Sequence, residues 1–592
     1  MSAVQTTTRV LIVGGGPSGL VASILCSRLG IEHVLVERRA GPQPAPAAHV
    51  INRRTMEILR QSGLAMDRVY ALDAHGTGPL SIRWAAGLDR PTLGELHLDP
   101  TSGEQARRAS LSPERLANIS QPLIEDALGI EAAALAPGAI RYGHEWLGFT
   151  DEDHAVSEVR DGSGRRYRIH ASWVLAADGA GSPVRRALGI RTRGDDHVAT
   201  FLSLSCRVDK DAIVGNGSAL LEWCLDPMLS GVTITHDPRA LTVYMRQLHE
   251  PYESVDDYDD AACRALLERL FGRRADVELL HKGVWRMTAQ VAERFRAGRV
   301  FLVGDAAHRF PPTGGLGLNS GVADVHNLVW KLAACITGDG SEGSEGRAGT
   351  EELLDSYELE REPVASSNCA ASLANFRKLD EVLRVIGLDP GKASIPARIL
   401  SAPIVRGLPA GLRSWLLRLI VSPATRTLER AAAGDARGAA IRARVAQSID
   451  EQRGHFDMPG LELGYIYRHG CAVSAAAADT PASDIVDFVP VAATGARLPH
   501  AELADGSILD RLCYDRYTLV HFGVEEPPEG LETFGMPLAS VDVASYDGAA
   551  RALGLQPGGW WLVRPDGHIA EGSAGAQEPA TMGLQSSAAR TT

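Results

Sequence analysis

The sequence predicts an α/β fold of several domains, the largest built around buried parallel strands. Three segments carry that expectation. Residues 9–13 (RVLIV) run into Gly14-Gly15-Gly16-Pro17-Ser18-Gly19, residues 173–177 (WVLAA) into Asp178-Gly179, and residues 300–303 (VFLV) into Gly304-Asp305, a Pro-Pro pair and a glycine-rich loop. Each begins as a short continuous apolar run, the pattern of a strand covered on both faces in a parallel sheet. Each then ends in glycine or an acid ahead of helix-forming sequence. A chain of 592 residues exceeds one hydrophobic core, so three or so domains of roughly 100–200 residues are expected.

Composition narrows the class. With 45% hydrophobic and 22% charged residues, the chain reads as globular. Its 60 basic and 73 acidic residues leave a net charge of −13, which argues against a nucleic-acid partner, since that would need a basic face. No run approaches the roughly 20 apolar residues of a membrane span, and residues 1–9 contain no apolar signal core, so a cytoplasmic protein is expected. The eight cysteines are scattered, with no C-x-x-C and no Cys/His cluster. We therefore expect reduced thiols and no metal site. No internal repeat is visible.

In the first element, Gly14, Gly16 and Gly19 fit G-x-G-x-x-G in its strand–turn–helix setting, with Pro17 and Ser18 inside the loop. The first glycine permits a tight turn, the second lets backbone approach a pyrophosphate, and the third lets helix pack on strand. The pyrophosphate would sit on free N–H groups at the positive end of the helix. A second strand at residues 33–36 (HVLV) ends at Glu37, where a carboxylate accepts bonds from ribose hydroxyls. A glycine turn that merely packs does not explain Glu37. The element therefore predicts a bound adenine dinucleotide, and Glu37 repels a 2′-phosphate, leaving FAD or NAD.

The second and third elements repeat the logic across about 300 residues, whereas a simple dehydrogenase needs only the first. The intervals give the organisation: a first domain over 1–193, with 76–107 joining a β-sheet domain over 194–284, then a return to the first domain over 285–370. Residues 338–349 (GDGSEGSEGRAG) read as a flexible polar loop, and Pro363 as the end of the following helix's first part. Residues 371–450 read as a helical linking or interface region, 451–573 as a C-terminal domain with YTLVHFG and WWLVRPDG as its clearest strands, and 574–592 as a disordered tail. A second G-x-G-x-x-G spacing at Gly338, Gly340 and Gly343 lies in a polar loop with no strand before it and reads as chance.

Taken together, the three fingerprints in this order and spacing resemble the class A flavoprotein aromatic hydroxylases, the family of para-hydroxybenzoate hydroxylase and phenol hydroxylase, over about residues 8–370. The segments AAHVINRRTMEILRQSGL (residues 47–64) and WWLVRPDGHIA (residues 560–570) resemble the longer branch with a C-terminal thioredoxin-like domain, which includes chlorophenol and polyketide-tailoring hydroxylases. The resemblance implies a Rossmann-like FAD domain of the glutathione-reductase type, an inserted β-sheet substrate domain, and a thioredoxin-like domain here without a redox pair, since Cys513 is single. It implies FAD as cofactor, NADPH or NADH and O₂ as co-substrates, and a homo-oligomer, dimer or higher.

The same resemblance assigns roles. Asp305, after Gly304, would bond the ribityl chain. Gly315 and Gly317 would lie along the isoalloxazine ring, with the backbone of Leu318 and Asn319 facing its N1/C2 edge, where a helix N-terminus stabilises the negative charge of reduced flavin. The Pro312 carbonyl would steer the distal oxygen of a flavin C4a-hydroperoxide. Arg38 would follow Glu37 at the adenosine end, and Gln121 would touch the ribityl or pyrophosphate portion. Asp178 would bind FAD or NAD(P)H with Arg185 as its partner, and Arg54 would support FAD or the loop. His308 reads as a packed polar residue of the strand-end turn.

The implied reaction is hydroxylation of a phenolic or pyridinol-like ring ortho or para to its hydroxyl, with the phenol deprotonated by the protein. Phenol hydroxylase has an aspartate where this chain has His49, so His49 is the candidate base, with packing near the FAD ribityl chain as its alternative, and Arg286 is a candidate catalytic neighbour. Trp223 and Trp285 are candidate substrate contacts, with core packing as their alternative. The reading favours biosynthetic tailoring, with catabolic phenol or chlorophenol hydroxylation and a non-hydroxylating flavin oxidoreductase as alternatives. The W-x-W-x-I-P signature of flavin halogenases is absent.

Overall fold

A computed structural model describes residues 5–44, 47–76, 80–88, 90, 92–98, 101–151, 153–214, 218–248, 253–272, 275–338, 344–387, 410–433 and 435–575. The strand Gln5–Val13 lies inside an eight-stranded sheet whose main path is Arg296–Ala297, Val300–Leu302, Arg166–Ala176, Gln5–Val13, His33–Glu37, Ile140–Tyr142. Its central pairs are parallel, with Val13 beside both Val36 and Ala176, and Ala176 beside Leu302. Four strands thus stop at one level, so Gly14, Glu37, Asp178 and Gly304 share one edge of the sheet. Helices Pro17–Arg28 and Leu316–Gly338 pack on each other over it, which explains why Val10, Leu11, Ile12, Leu35, Val174 and Leu302 are fully buried and why these strands read as unbroken apolar runs.

A second eight-stranded sheet follows the order His308–Arg309, Glu278–Ala292, Thr192–Arg207, Leu241–Leu248, Gly231–Asp237, Leu221–Cys224, Ser81–Ala85, Thr92–His97. It is antiparallel except where Leu221–Cys224 meets Ser81–Ala85. One face is covered by helix Asp260–Phe271 through Leu202, Leu204, Tyr244, Leu267 and Leu270. The other face carries Phe201, Val232, Ile234, Val243 and Trp285, alternating residues that line a large chamber between the two sheets.

Two expectations are corrected. The polar loop expected over 338–349 ends earlier, because helix Ser344–Val385 starts at Ser344 and runs for 42 residues straight through Pro363. Gly340 and Gly343 lie outside the described residues. Pro363 removes one helical bond, to the carbonyl of Leu359, a residue exposed on the outer side of the helix. Tyr357, Glu360, Arg361 and Ala365 are buried on the inner side, and their packing holds the helix together across the proline.

The C-terminal sheet orders Leu538–Asp542, Tyr517–His521, Trp560–Val563, Ile569–Ser573. It docks through side chains shared with the main core, Tyr514, Tyr517 and Leu562 among them. A buried ionic cluster adds to the contact: Arg564 donates to both Glu360 oxygens (2.7 and 2.9 Å) and pairs with Asp566 (2.6 Å), while Lys331 reaches Glu360 at 2.7 Å. Cys471 and Cys513 are exposed and unbridged. Residues 576–592 of the expected tail lie outside the described residues. Among the described residues, no helix is long and apolar enough to cross a membrane.

Candidate active site

The shared strand edge opens on a chamber of about 2410 Å³. At its first loop, Gly14 has φ +112°, and a Cβ there would sit 2.2 Å from the Ala177 carbonyl oxygen, so only glycine makes the turn. A Cβ on Gly19 would lie 2.0 Å from the Gly14 carbonyl, which is the close helix–strand packing expected. Gly16 differs, because a Cβ there meets no protein atom within 4 Å. It caps helix Pro17–Arg28 with no side-chain hydrogen bond, so the first-turn N–H groups of Ser18, which lines the chamber, and Gly19 have no helical partners. A polar cradle with backbone donors and room where a side chain would stand fits an anionic pyrophosphate.

Glu37 closes the far end of the strand edge. Its Oε2 accepts from the Gly15 N–H at 2.7 Å, and its Oε1 accepts from Arg39 N and Nε at 2.8 and 3.0 Å. Burial alone would raise its pKa, but the Arg39 and Gly15 hydrogen bonds hold the carboxyl below its usual range. The expected Arg38 is exposed at the chamber wall, and the residue paired with Glu37 is Arg39, which also reaches Glu125 at 3.5 Å. The sequence reading missed Arg39 because adjacent arginines on a strand end differ only in the face they take. Gln121 lines the chamber, its Nε2 donating to Glu125 (2.8 Å) and its Oε1 accepting from Ala48 N (3.1 Å).

On the middle of the edge, Asp178 accepts from Val184 N at 3.0 Å through Oδ2, while Oδ1 is buried without a partner and the residue borders the chamber. Burial raises its pKa, with Ser182 and Val184 partly offsetting. Arg185 donates its hydrogen bond to the Ala306 carbonyl at 2.8 Å, bracing the Gly304–Ala306 turn, and acts on Asp178 by charge without a hydrogen bond, lowering its pKa. Arg54 lies away from the chamber, buried against Glu57 (3.1 Å) and the Asp566 carbonyl (2.6 Å), where it fastens the C-terminal sheet. Asp305 opens onto the chamber, and the protein surrounding it raises its pKa, with His308 and Arg309 partly offsetting.

The glycine loop that follows is fixed by Asn319. Its Nδ2 donates to the Val50 and Gly315 carbonyls (2.9 and 2.6 Å), and its Oδ1 accepts from Asn52 N (3.0 Å). Gly315, Gly317 and Leu318 border the chamber at the N-terminus of helix Leu316–Gly338, and a Cβ on Gly317 meets nothing within 4 Å. The Pro312 carbonyl accepts from Gly315 N at 3.0 Å, so one of its lone pairs already serves the turn. Gly304 stands back from the chamber against Ser18, whose Oγ would be 2.8 Å from a Cβ there. His308 is buried and bonded to Asp324 at 2.7 Å, beneath the loop. Arg361 on the same carboxylate at 2.8 Å helps pull Asp324 down to about 2 against burial.

Beyond the loop the chamber turns apolar. Trp223 and Trp285 face it from the second sheet, Trp285 against Phe201 (ring centroids 5.6 Å), and helix Ser344–Val385 adds Phe376, Leu379 and Leu383. Arg286 pairs in register with Thr200, on the opposite face from Trp285 and Phe201. It therefore borders the chamber without sharing its aromatic row, because side chains alternate along a strand. His49 lines the chamber where strand Val50–Ile51 begins, beside His236 (ring centroids 5.1 Å). Burial lowers the His49 imidazole to about 4, with the Asn118 hydrogen bond opposing and His75 adding to the fall. The sequence reading missed His236 and Asn118, since an isolated histidine in a strand and an asparagine in a two-residue strand leave no periodic signal.

The description "FAD binding domain" belongs to the family model that matches residues 7–372. A Streptomyces coelicolor protein named as a polyketide hydroxylase is 33% identical, over 97% of this chain and 95% of that protein. The 2,4-dichlorophenol 6-monooxygenase of Cupriavidus pinatubonensis is 29% identical over 66% of this chain and 65% of its own. Among solved structures, the flavin-dependent monooxygenase PieE in complex with FAD and substrate superposes with a TM-score of 0.81 at 28% identity, covering 96% of both chains.

Proposed function

Because the chain belongs to the FAD binding domain family and is an FAD-dependent aromatic monooxygenase, we propose that it hydroxylates a multi-ring phenol of secondary metabolism, using O₂ and NADPH or NADH. The observation that carries the substrate class is the chamber. A single drug-sized ligand takes roughly 300–1,000 Å³, whereas this space of about 2410 Å³ continues past the dinucleotide cradle between aromatic and aliphatic walls. The Streptomyces relative named for polyketide hydroxylation points the same way.

In this reading the strand edge would hold FAD. Glu37, with Arg38 and Arg39 beside it, would hold the adenosine ribose, and the Gly16–Ser18–Gly19 backbone the pyrophosphate. Asp305 would hold the ribityl chain, and the N-terminus of helix Leu316–Gly338 the ring. When bound, FAD accepts a hydride from NAD(P)H and delivers one oxygen atom of O₂ to the substrate. The chain's own part is positioning and exclusion of water: Trp223, Trp285, Phe201 and Phe376 hold a flat ring in an apolar space. His49 accepts the hydrogen bond of the substrate hydroxyl and takes its proton as oxygen adds. With its imidazole held near 4, it stays unprotonated, and so able to accept, across the neutral range.

The test is NAD(P)H oxidation by FAD-loaded protein against single-ring phenols, pyridinols and polycyclic aromatic polyketides, with product and H₂O₂ measured together. Oxidation matched by hydroxylated product for the polycyclic class alone supports the proposal. Equally coupled turnover of a chlorophenol assigns the smaller substrate instead, and oxidation that ends wholly as H₂O₂ removes the hydroxylation.

A further inference from the structure

His49, on the chamber wall, is hydrogen-bonded through Nδ1 to a buried asparagine, Asn118. Strand Val50–Ile51 pairs with Ala117–Asn118, which sets Asn118 behind His49. The Asn118 side chain is buried and fully engaged. Its Nδ2 lies 3.1 Å from the Thr235 carbonyl and 2.8 Å from His75 Nδ1, and its Oδ1 lies 2.7 Å from His49 Nδ1. The Thr235 carbonyl only accepts, so the amide nitrogen must be the atom turned toward it. That orientation leaves Oδ1, which also only accepts, facing His49, and the nitrogen it meets must carry a hydrogen.

We infer that Asn118 is a positioning residue that locks His49 as the Nδ1–H tautomer, so that Nε2 is presented to the chamber as a bare acceptor for the substrate hydroxyl. This rests on the reading of His49 as the proton acceptor. A free imidazole favours neither nitrogen strongly, and the Nε2–H form would offer the phenol a donor where an acceptor is required. The other groups around the pair do not supply this selection. His236 meets the His49 ring edge with neither of its nitrogens hydrogen-bonded. His75 receives from Asn118 and so carries its own hydrogen on Nε2. The charged groups that act on His75 are Asp73, Lys210, Asp211 and Asp237.

The direct test is the ¹⁵N spectrum of histidine-labelled, FAD-loaded enzyme at neutral pH without substrate, with His49→Gln assigning the signals. The expected spectrum has His49 protonated at Nδ1 and bare at Nε2, whereas a protonated Nε2 overturns the inference outright. In Asn118→Leu the two tautomers should mix and coupled hydroxylation should fall about tenfold, the worth of one lost hydrogen bond, with little change in the KM for NAD(P)H. Asn118→Asp keeps an acceptor against Nδ1–H. It should restore the tautomer and the coupling, and its pH profile should shift upward because a carboxylate stabilises the imidazolium. Asn118→Leu with an unchanged spectrum refutes the lock. His49→Gln with undiminished coupling refutes His49 as the acceptor while leaving the tautomer spectrum of the parent enzyme intact, so the two failures are distinct.

Discussion

Gly16→Ala separates the cradle's role in binding from any role in folding. Gly16 has φ −78° and ψ −178°, a conformation alanine adopts freely, and a Cβ there meets no protein atom within 4 Å. The FAD-free protein should therefore be unharmed, or gain the roughly 0.4–1 kcal/mol that a Gly→Ala change gives by restricting the unfolded chain. The methyl would instead occupy space reserved for the pyrophosphate. Overpacking by one such group costs about 1–3 kcal/mol, which corresponds to FAD binding weakened about 5- to 150-fold. Titrating FAD into apoprotein by flavin fluorescence, beside thermal unfolding of the same apoprotein, reads both quantities. Gly14→Ala is the contrast: φ +112° and a Cβ 2.2 Å from the Ala177 oxygen should destabilise the apoprotein itself. Unchanged FAD affinity in Gly16→Ala would show that the pyrophosphate does not lie against Gly16, and the placement of the dinucleotide would have to be redrawn.

Other consequences can be measured separately. Glu360→Gln leaves Arg564 and Lys331 buried beside a neutral amide, and breaking such a pair should cost about 3–5 kcal/mol; an unfolding temperature equal to the parent's would deny the cluster its role in docking the C-terminal sheet. Burial holds His49, His455 and His568 down to about 4, whereas unfolded imidazoles titrate near 6.5. Between these values the unfolded chain binds more protons, so stability falls as pH drops through that window, by about 2 kcal/mol per histidine at pH 5; denaturant melts at pH 7 and 5 should show it. Cys513 is exposed and lacks a C-x-x-C partner, so Cys513→Ser should leave turnover unchanged under reducing and oxidising conditions alike. A redox-dependent loss would give that domain a chemical task.

The chain's local grammar determined the strand-edge half of the site. Gly14, Gly16 and Glu37, Asp178, and Asp305 with its glycine loop are local signals, because a tight turn, a helix N-terminus and a strand end depend on neighbours within a few residues. The parallel register of Val13, Ala176 and Leu302 then brought them to one edge, as continuous apolar strands would require. What only the tertiary structure decided lies where sidedness and distance matter. Arg39 holds Glu37 beside Arg38, Arg185 gives its hydrogen bond to Ala306 and reaches Asp178 by charge alone, Arg54 ties down a segment more than 500 positions away in sequence at Asp566, and a helix runs through Pro363 because its buried flank outweighs one missing bond. The same holds for Asn118 and His49. Their contact joins a two-residue strand to a loop 69 positions away, and the polarity of that contact is set by a carbonyl on the second sheet, a constraint that exists only once the two sheets are packed together.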